Sequence, residues 1–378
     1  MASQRQASSA SQTPLISPAE LAYLYTSLAL PGSPIRPDGR SPTQFRPLTA
    51  ETDILPGTNG SARVGFADGT QAIVGVKAEV EKTALSPDAV DLSQQAQTTE
   101  GGEDGKPAPT GGHGSWVQMS IEIPGFRDDD ALPVFLSEMM REPLVESVSN
   151  GHGDGEDVAE MAGGLKGRLV INRRWHWRLY IDVLLLSQPL SYPLPLLSLT
   201  THLALLSTKL PKLKSKGEED PFFDDDWDAA EYLYPRTRSR LLSQKVRPPV
   251  TLLVISVGEN IIFDPNREEI TVADAVMAIS VTRDGESDGL KLLSIRTVDP
   301  PSRLTQPGVP NSENMATGAA VNAGEGSLVT GGEETPGVWR PRRGGVKRKT
   351  VARMIKLVLE KGGVGEEVLD GLENVEVG

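Results

Sequence analysis

Histidine is the side chain most used for proton transfer and metal binding near neutral pH, and this chain has only four. His113 and His152 lie in glycine-rich stretches, His176 on the polar side of an alternating segment and His202 inside a leucine-rich one. Metal ligands come in patterned clusters, so this scatter predicts no metal site. The run Asp224-Asp225-Asp226 with Asp228 offers hard oxygen ligands for a divalent cation, but a solvated acidic loop is the simpler reading. There is no cysteine, which excludes a disulfide framework, a thiolate metal site and a cysteine nucleophile. Walker, HExxH, Gly-x-Ser-x-Gly and EF-hand patterns are missing, and no cofactor is expected. What remains is cationic. Arg340 to Lys361 holds nine Lys and Arg against Glu360 alone, a patch suited to phosphate contacts, a nuclear address or the solvated face of a helix.

Those residues sit in a chain of 378, with 38 Lys and Arg against 51 Asp and Glu and a net charge of −13. The total argues against a wholly basic, indiscriminate nucleic-acid binder, while leaving room for a local basic face. Only 38% of residues are hydrophobic, and 38 Gly with 29 Pro exceed the average share of about 12%. Much of the chain is therefore not core. No secretory h-region opens it, and the leucine-rich run Leu184 to Leu210 is too broken by Pro189, Pro193 and Pro195 to span a membrane.

The elements follow from periodicity. Ser17, Pro18 and Glu20 make a capping-box start for a helix to about Leu30. Ala62, Val64 and Phe66 alternate, Asp68-Gly69 supplies a hairpin turn, and Ala72, Val74, Val76, Ala78 and Val80 alternate again. Val117 to Ile123 reads as a strand, Ala131 to Ser147 as a helix weakened by Pro143, and Arg174 to Leu185 as the clearest strand, with Trp177, Leu179, Ile181 and Val183 on one face. Leu196, Leu199, Leu203, Leu206 and Leu210 form an apolar helical stripe. Strands are expected at 250–257, 261–263, 272–281 and 290–298, and a last helix near Lys347 to Lys361. The class is α+β. The organisation predicted is a tail, 1–16; a first domain, 17–210, with inserts at about 85–115 and 149–164; an acidic insert, 211–245; a second domain, 246–299; a flexible Gly/Pro-rich segment, 300–345; and a helical end, 346–378. The inserts are too poor in apolar residues to offset the entropy of ordering them, and are expected to be disordered.

The strand and turn segments resemble the RNase PH-like family, and within it the ring subunits of the eukaryotic RNA exosome. The resemblance is carried by Arg36-Pro37-Asp38-Gly39-Arg40, by Asn59-Gly60-Ser61-Ala62, and by Gly69-Thr70 with Ile73-Val74-Gly75-Val76-Lys77-Ala78-Glu79. It continues through Asn172-Arg173-Arg174 into Trp177-Arg178-Leu179-Tyr180-Ile181-Asp182, then Phe263-Asp264-Pro265 with Glu268-Glu269. It covers about Pro34 to Leu210 and Arg247 to Val298, and implies an RNase PH-like fold of mixed sheets packed with helices.

Active members of that family are phosphate-dependent 3′→5′ exoribonucleases, with an arginine-bearing loop for phosphate and an aspartate that helps activate it. Where that loop belongs, this chain reads Ser187-Gln188-Pro189-Leu190-Ser191-Tyr192-Pro193-Leu194-Pro195, with no arginine and with prolines that remove N–H donors. Where active subunits carry Asp-x-Pro-Val, it reads Arg247-Pro248-Pro249-Val250. Asp182 survives and is expected to pair with Arg174 or Arg178. The resemblance thus implies a catalytically inert subunit of the exosome core ring. Its partners would be other RNase PH-like ring subunits, RNA-binding cap subunits and single-stranded RNA, in nucleus, nucleolus and cytoplasm, without a membrane. RNA contacts are expected from Arg36, Arg40, Arg63, Lys77, Arg173 and Arg174, each of which could equally be an ion-pair partner. Two rivals stay open: an active phosphorolytic enzyme in which Arg173 replaces the missing arginine, and an assembly scaffold that touches no RNA.

Overall fold

The computed structural model describes residues 16–83, 112–145, 165, 167–215, 217, 219–234, 247–283, 289–298 and 346–375. The expected tail to residue 15, the inserts at 85–111 and 149–164, and segment 300–345 lie outside the described residues. Helix α1 spans Pro18–Leu28, and its capping box is formed: Glu20 N donates to Ser17 Oγ and Ser17 N to Glu20 Oε2. Strands β1 (Leu48–Thr52), β2 (Gly60–Phe66), β3 (Gln71–Lys82) and β4 (Val117–Glu122), helix α2 (Ala131–Val145) and strand β5 (Trp175–Leu185) follow. They build a five-stranded sheet of order β1-β2-β3-β5-β4, antiparallel except for the β4/β5 pair. Alternate residues of β2, β3 and β5, namely Ala62, Val64, Val74, Val76, Leu179, Ile181 and Val183, are buried, as the alternation requires, while β1 at the sheet edge buries none.

Helix α3 (Leu194–Ser207) lies between this sheet and a second one. Every residue of α3 is buried, so the expected stripe is instead a helix covered on all sides. Its threonines bond locally, Thr200 Oγ1 donating to Leu196 O and Thr201 Oγ1 to Leu197 O, whereas Ser198 Oγ accepts from Thr251 N of the second sheet at 2.7 Å. A β-carbon on Gly60 would come within 2.6 Å of the Thr208 backbone, so the end of α3 reaches β2 only because Gly60 has none. Asn59 holds the same corner, donating from Nδ2 to Lys209 O and accepting at Oδ1 from Ala78 N.

Two short strands, β6 (Lys209–Leu210) and β7 (Glu231–Tyr232), pair beyond α3. The second main sheet then forms from β8 (Val250–Val257), β9 (Asn260–Phe263), β10 (Ala275–Arg283) and β11 (Leu290–Val298), in the antiparallel order β11-β10-β8-β9. A short helix, α4 (Arg267–Thr271), precedes β10 and occupies the approach to a strand expected to begin at Val272. Beyond residue 345 there are two helices rather than one, α5 (Arg348–Leu359) and α6 (Val364–Glu373). They bury Met354, Val358, Leu369 and Leu372 in the common core, and Arg283 reaches Asp370 at 2.5 Å and Glu373 at 3.1 Å. The helical end is therefore part of the second sheet's packing. The segment expected to be a disordered acidic insert is also structured over most of 211–234, with an isolated bridge between Leu213 and Phe223. Phe223 stacks tilted on Trp177 at 4.9 Å, and Tyr234 is fully buried. The apolar residues that local composition made look sparse are matched by partners far away in sequence.

One ion cluster joins the two halves. Arg36 makes a bidentate contact to Glu269, Nε to Oε1 at 2.8 Å and Nη2 to Oε2 at 2.9 Å, with both side chains inaccessible to solvent. Its remaining donors go to the carbonyls of Ser41, Phe263 and Asp264. Arg40 Nη1 and Arg46 Nη2 meet the two carboxylate oxygens of Asp264 at 2.8 and 2.7 Å. Burial alone would raise the Asp264 carboxyl; the hydrogen bonds and charge of Arg46, with Arg40, overcome this and hold its pKa below the ordinary carboxylate value. Asp264 also takes a positive φ of 45°, an uncommon backbone state for a residue other than glycine, which this cluster holds in place. Arg36→Met alone should destabilise the chain by about 3–5 kcal/mol in urea denaturation, because it leaves a buried carboxylate without its cation. Arg36→Met with Glu269→Met should cost markedly less; equal losses would sink the account.

His202, at the centre of α3, supplies a second test. Burial, the dominant cause, lowers its pKa to about 4, the Pro248 and Pro249 carbonyls opposing and Arg247 adding to the shift. The folded state therefore binds fewer protons than the unfolded state between pH 6.5 and about 4, and stability must fall as pH drops through that window. The expected loss is about 3 kcal/mol. His202→Leu should abolish this component, and a wild-type-to-variant difference that stays constant from pH 7 to pH 4 would refute it.

Candidate nucleic-acid interface

The expected phosphate loop runs from the end of β5 to the start of α3. Leu190 is 59% exposed, whereas Pro193 to Leu197 are buried against the core. Helix α3 begins with no side-chain cap, Pro195 has no N–H to offer, and Leu197 N already donates to Pro193 O. A helix start is ordinarily a ready anion site; here its first turn is apolar and inside. The cation that does reach the loop is Arg46, which donates from Nη1 to Ser191 Oγ at 2.7 Å. Arg46 is held by Asp264 and Asp68 and lies over the Phe66 ring at 4.1 Å. Sequence reasoning did not single out Arg46, because its partner Asp264 lies far away in sequence. Burial of the Tyr192 hydroxyl in the same loop raises its pKa, leaving the phenol neutral.

Asp182 is exposed on β5, opposite Gly75 of β3 and Ser120 of β4. The expected pairing with Arg174 or Arg178 is not formed: Arg178 Nη1 bonds Glu81 Oε2 at 2.9 Å, and Arg174 lies beyond the far end of β5. Trp175 and Asp182 are seven residues apart on one strand, roughly 23 Å at about 3.3 Å per residue. Arg173 and Arg174 therefore do not converge on Asp182. Arg247, at the position where the resemblance implies an aspartate in active subunits, binds Glu373 of α6 at 3.1 Å. That cation serves the packing of the C-terminal helices.

The six candidate cations separate into two groups. Arg36 and Arg40 form one group: their donors are committed to Glu269, Asp264, Asp38, Asn266 and backbone carbonyls, and the Arg36 side chain is buried. Arg63 and Lys77 stand on the face of the first sheet opposite the side buried against α3. Arg63 lies opposite Ile73 and bonds Gln71, while Lys77 lies opposite Tyr180 and approaches Glu79 at 3.4 Å. Arg173 and Arg174 are exposed in the turn before β5, where Arg174 N donates to Asn172 Oδ1. Of the basic C-terminal patch, Lys347, Arg348, Lys349, Arg353, Lys356 and Lys361 are exposed around α5, and Arg340, Arg342 and Arg343 lie outside the described residues. No group of acidic or histidine side chains among the described residues is arranged to hold a metal ion.

No family model matches the chain. Curated proteins do, two yeast proteins among them. It is 31% identical over 270 residues to the exosome complex component RRP42 of Saccharomyces cerevisiae, covering 70% of this chain and 81% of the yeast protein. To the rrp42 component of Schizosaccharomyces pombe it is 31% identical over 281 residues, covering 70% of this chain and 78% of the relative. Among solved structures it is similar to a chain of the Archaeoglobus fulgidus exosome with RNA bound to the active site, at 20% identity and a TM-score of 0.45, covering 74% of this chain and 88% of that one. The sequence identity extends across most of both yeast relatives, and with it the chain belongs to the Rrp42 family of exosome complex components.

Proposed function

We propose that this chain is a non-catalytic subunit of an exosome core ring. It supports 3′→5′ processing and degradation of RNA, including ribosomal RNA precursors, by completing the ring and helping to line the RNA path. The observation that carries the inert reading is the loop after β5, whose apolar, proline-rich turn contributes no cation and seats its last residues in the core. Phosphorolysis needs inorganic phosphate held in line with the terminal linkage by cationic and N–H donors. Arg46 is the cation nearest that loop and is neutralised by two carboxylates. The distance along β5 weighs against Arg173 as a substitute. Such a subunit needs shape and a few cations toward the phosphate backbone, a role suited to Arg63, Lys77, Arg173 and Arg174. We assign it to nucleus, nucleolus and cytoplasm on the same reading.

The purified chain, and the ring assembled with it, should release no nucleoside diphosphate attributable to this chain from RNA and inorganic phosphate. Release abolished by Arg173→Ala would overturn the assignment. Photocrosslinking of single-stranded RNA in the assembled ring should label this chain, and the label should fall severalfold in Arg63→Ala with Lys77→Ala. Labelling of neighbouring subunits alone would reduce its role to assembly.

A further inference from the structure

The structured part of residues 209–234 forms a ribbon tied down along its length. Lys209 N donates to Asn59 O and Leu233 N to Thr208 O, while Lys214 N and Asp224 N close the ribbon on Phe222 O and Lys212 O. Asn172 Nδ2 binds Glu219 O, Trp175 Nε1 binds Asp220 Oδ1, and Phe223 is held against Trp177. A ribbon with one apolar face turned inward has no need of large apolar side chains on its other side. Yet Phe222 is 64% exposed and Trp227 48% exposed. Aromatic area left in water on a fixed element is informative in a way that one stray leucine is not.

The surroundings of these two rings restrict what can cover them. Between Glu219 and Glu231 the sequence has seven carboxylates and no Lys or Arg. Among the described residues only Asp224 of these has an ion-pair partner, Lys214 at 2.9 Å. Asp225, Asp226, Asp228 and Glu231 face solvent. A nucleic acid is repelled by such a field, and the carboxylates do not converge as a metal site would demand. A cationic protein segment is attracted by the charge, and its apolar residues have the two rings to cover; an arginine can also stack on the Trp227 face. Phe222 and Trp227 are five positions apart, at most about 18 Å of chain, so an extended segment of about six residues reaches both.

We infer that this ribbon is a docking surface for a partner protein's Arg- or Lys-rich segment carrying an aliphatic or aromatic anchor between its cations. The inference stands apart from the RNA role, since it rests on the two exposed rings and the carboxylates around them and not on Arg173 or Arg174, which flank the residues that hold the ribbon. The probe is a fluorescein-labelled twelve-residue peptide alternating arginine and leucine, titrated into the full chain and followed by anisotropy. Phe222→Ser with Trp227→Ser should weaken binding at least tenfold. Asp225→Asn with Asp226→Asn and Asp228→Asn should do the same and also flatten the dependence on salt. A peptide with serine in place of leucine should bind more weakly and be indifferent to the aromatic substitutions. Hydrogen exchange on the unaltered protein should show peptide-dependent protection within 219–231, which keeps the test independent of how the variants fold. Binding that ignores both sets of substitutions, or protection confined to other regions, overturns the inference. So does binding that arises only after Arg236, Arg238 and Arg240 are replaced, because the occupant would then be this chain's own next segment.

Discussion

The contact between Arg36 and Glu269 is the constraint on which the rest of the structure depends. Two charges 233 residues apart in sequence are buried together with no solvent access, each the counter-charge of the other. Taking them from water is costly, so the contact has little net stability to give; what it fixes is position. It seats the arm 36–46 on the Asp-Pro turn after β9, which brings Arg40 and Arg46 to Asp264. From there Arg46 reaches Ser191 and sets the course of the loop between β5 and α3. The apolar seat of that loop is thus coupled to a clamp far away in sequence.

Helix α3 is the second half of the same logic. A helix covered on every side must satisfy its polar groups without water, and Thr200 and Thr201 do so by bonding back to carbonyls four residues earlier. Ser198 instead joins the helix to β8, where Thr251 Oγ1 meets Ser280 Oγ on β10. The two sheets are therefore aligned through one buried helix and one buried ion cluster.

What the sequence made legible was whatever a local pattern encodes. The alternation of β2, β3 and β5, the Asp68-Gly69 turn and the capping box of α1 each depend on neighbours within a few residues, and each was readable. The acidic ribbon was not, because its order comes from Trp175, Trp177 and Asn172, roughly fifty residues earlier. Helix α6 is short, acidic and glycine-bearing, and forms against α5 and Leu290. The arginines of Arg-Pro-Asp-Gly-Arg were recognisable as a signature but not as structural ions: their partners lie more than two hundred residues on. The pairing expected of Asp182 failed for a related reason. Arg178 stands opposite Glu79, one diagonal step from Glu81, and a cross-strand carboxylate within reach outcompetes one four residues along the same strand.

Charge is the property that the fold redistributes most. Helix α5 opens with Lys347 at its cap and Arg348 and Lys349 in its first turn, with no acidic residue there. Cations at that end oppose the helix dipole, typically by 0.3 to roughly 1 kcal/mol each when exposed. The helix holds through its buried stripe, Met354 and Val358, rather than through its termini. Helix stability consequently does not account for these cations, just as the packing of Phe223 does not account for the carboxylates beside it. A net charge of −13 conceals both a basic helix on the second sheet and an acidic ribbon on the first. The sign that a phosphate or an arginine meets is set by which of those elements it approaches, and the Debye length of about 8 Å at physiological salt keeps the two from cancelling.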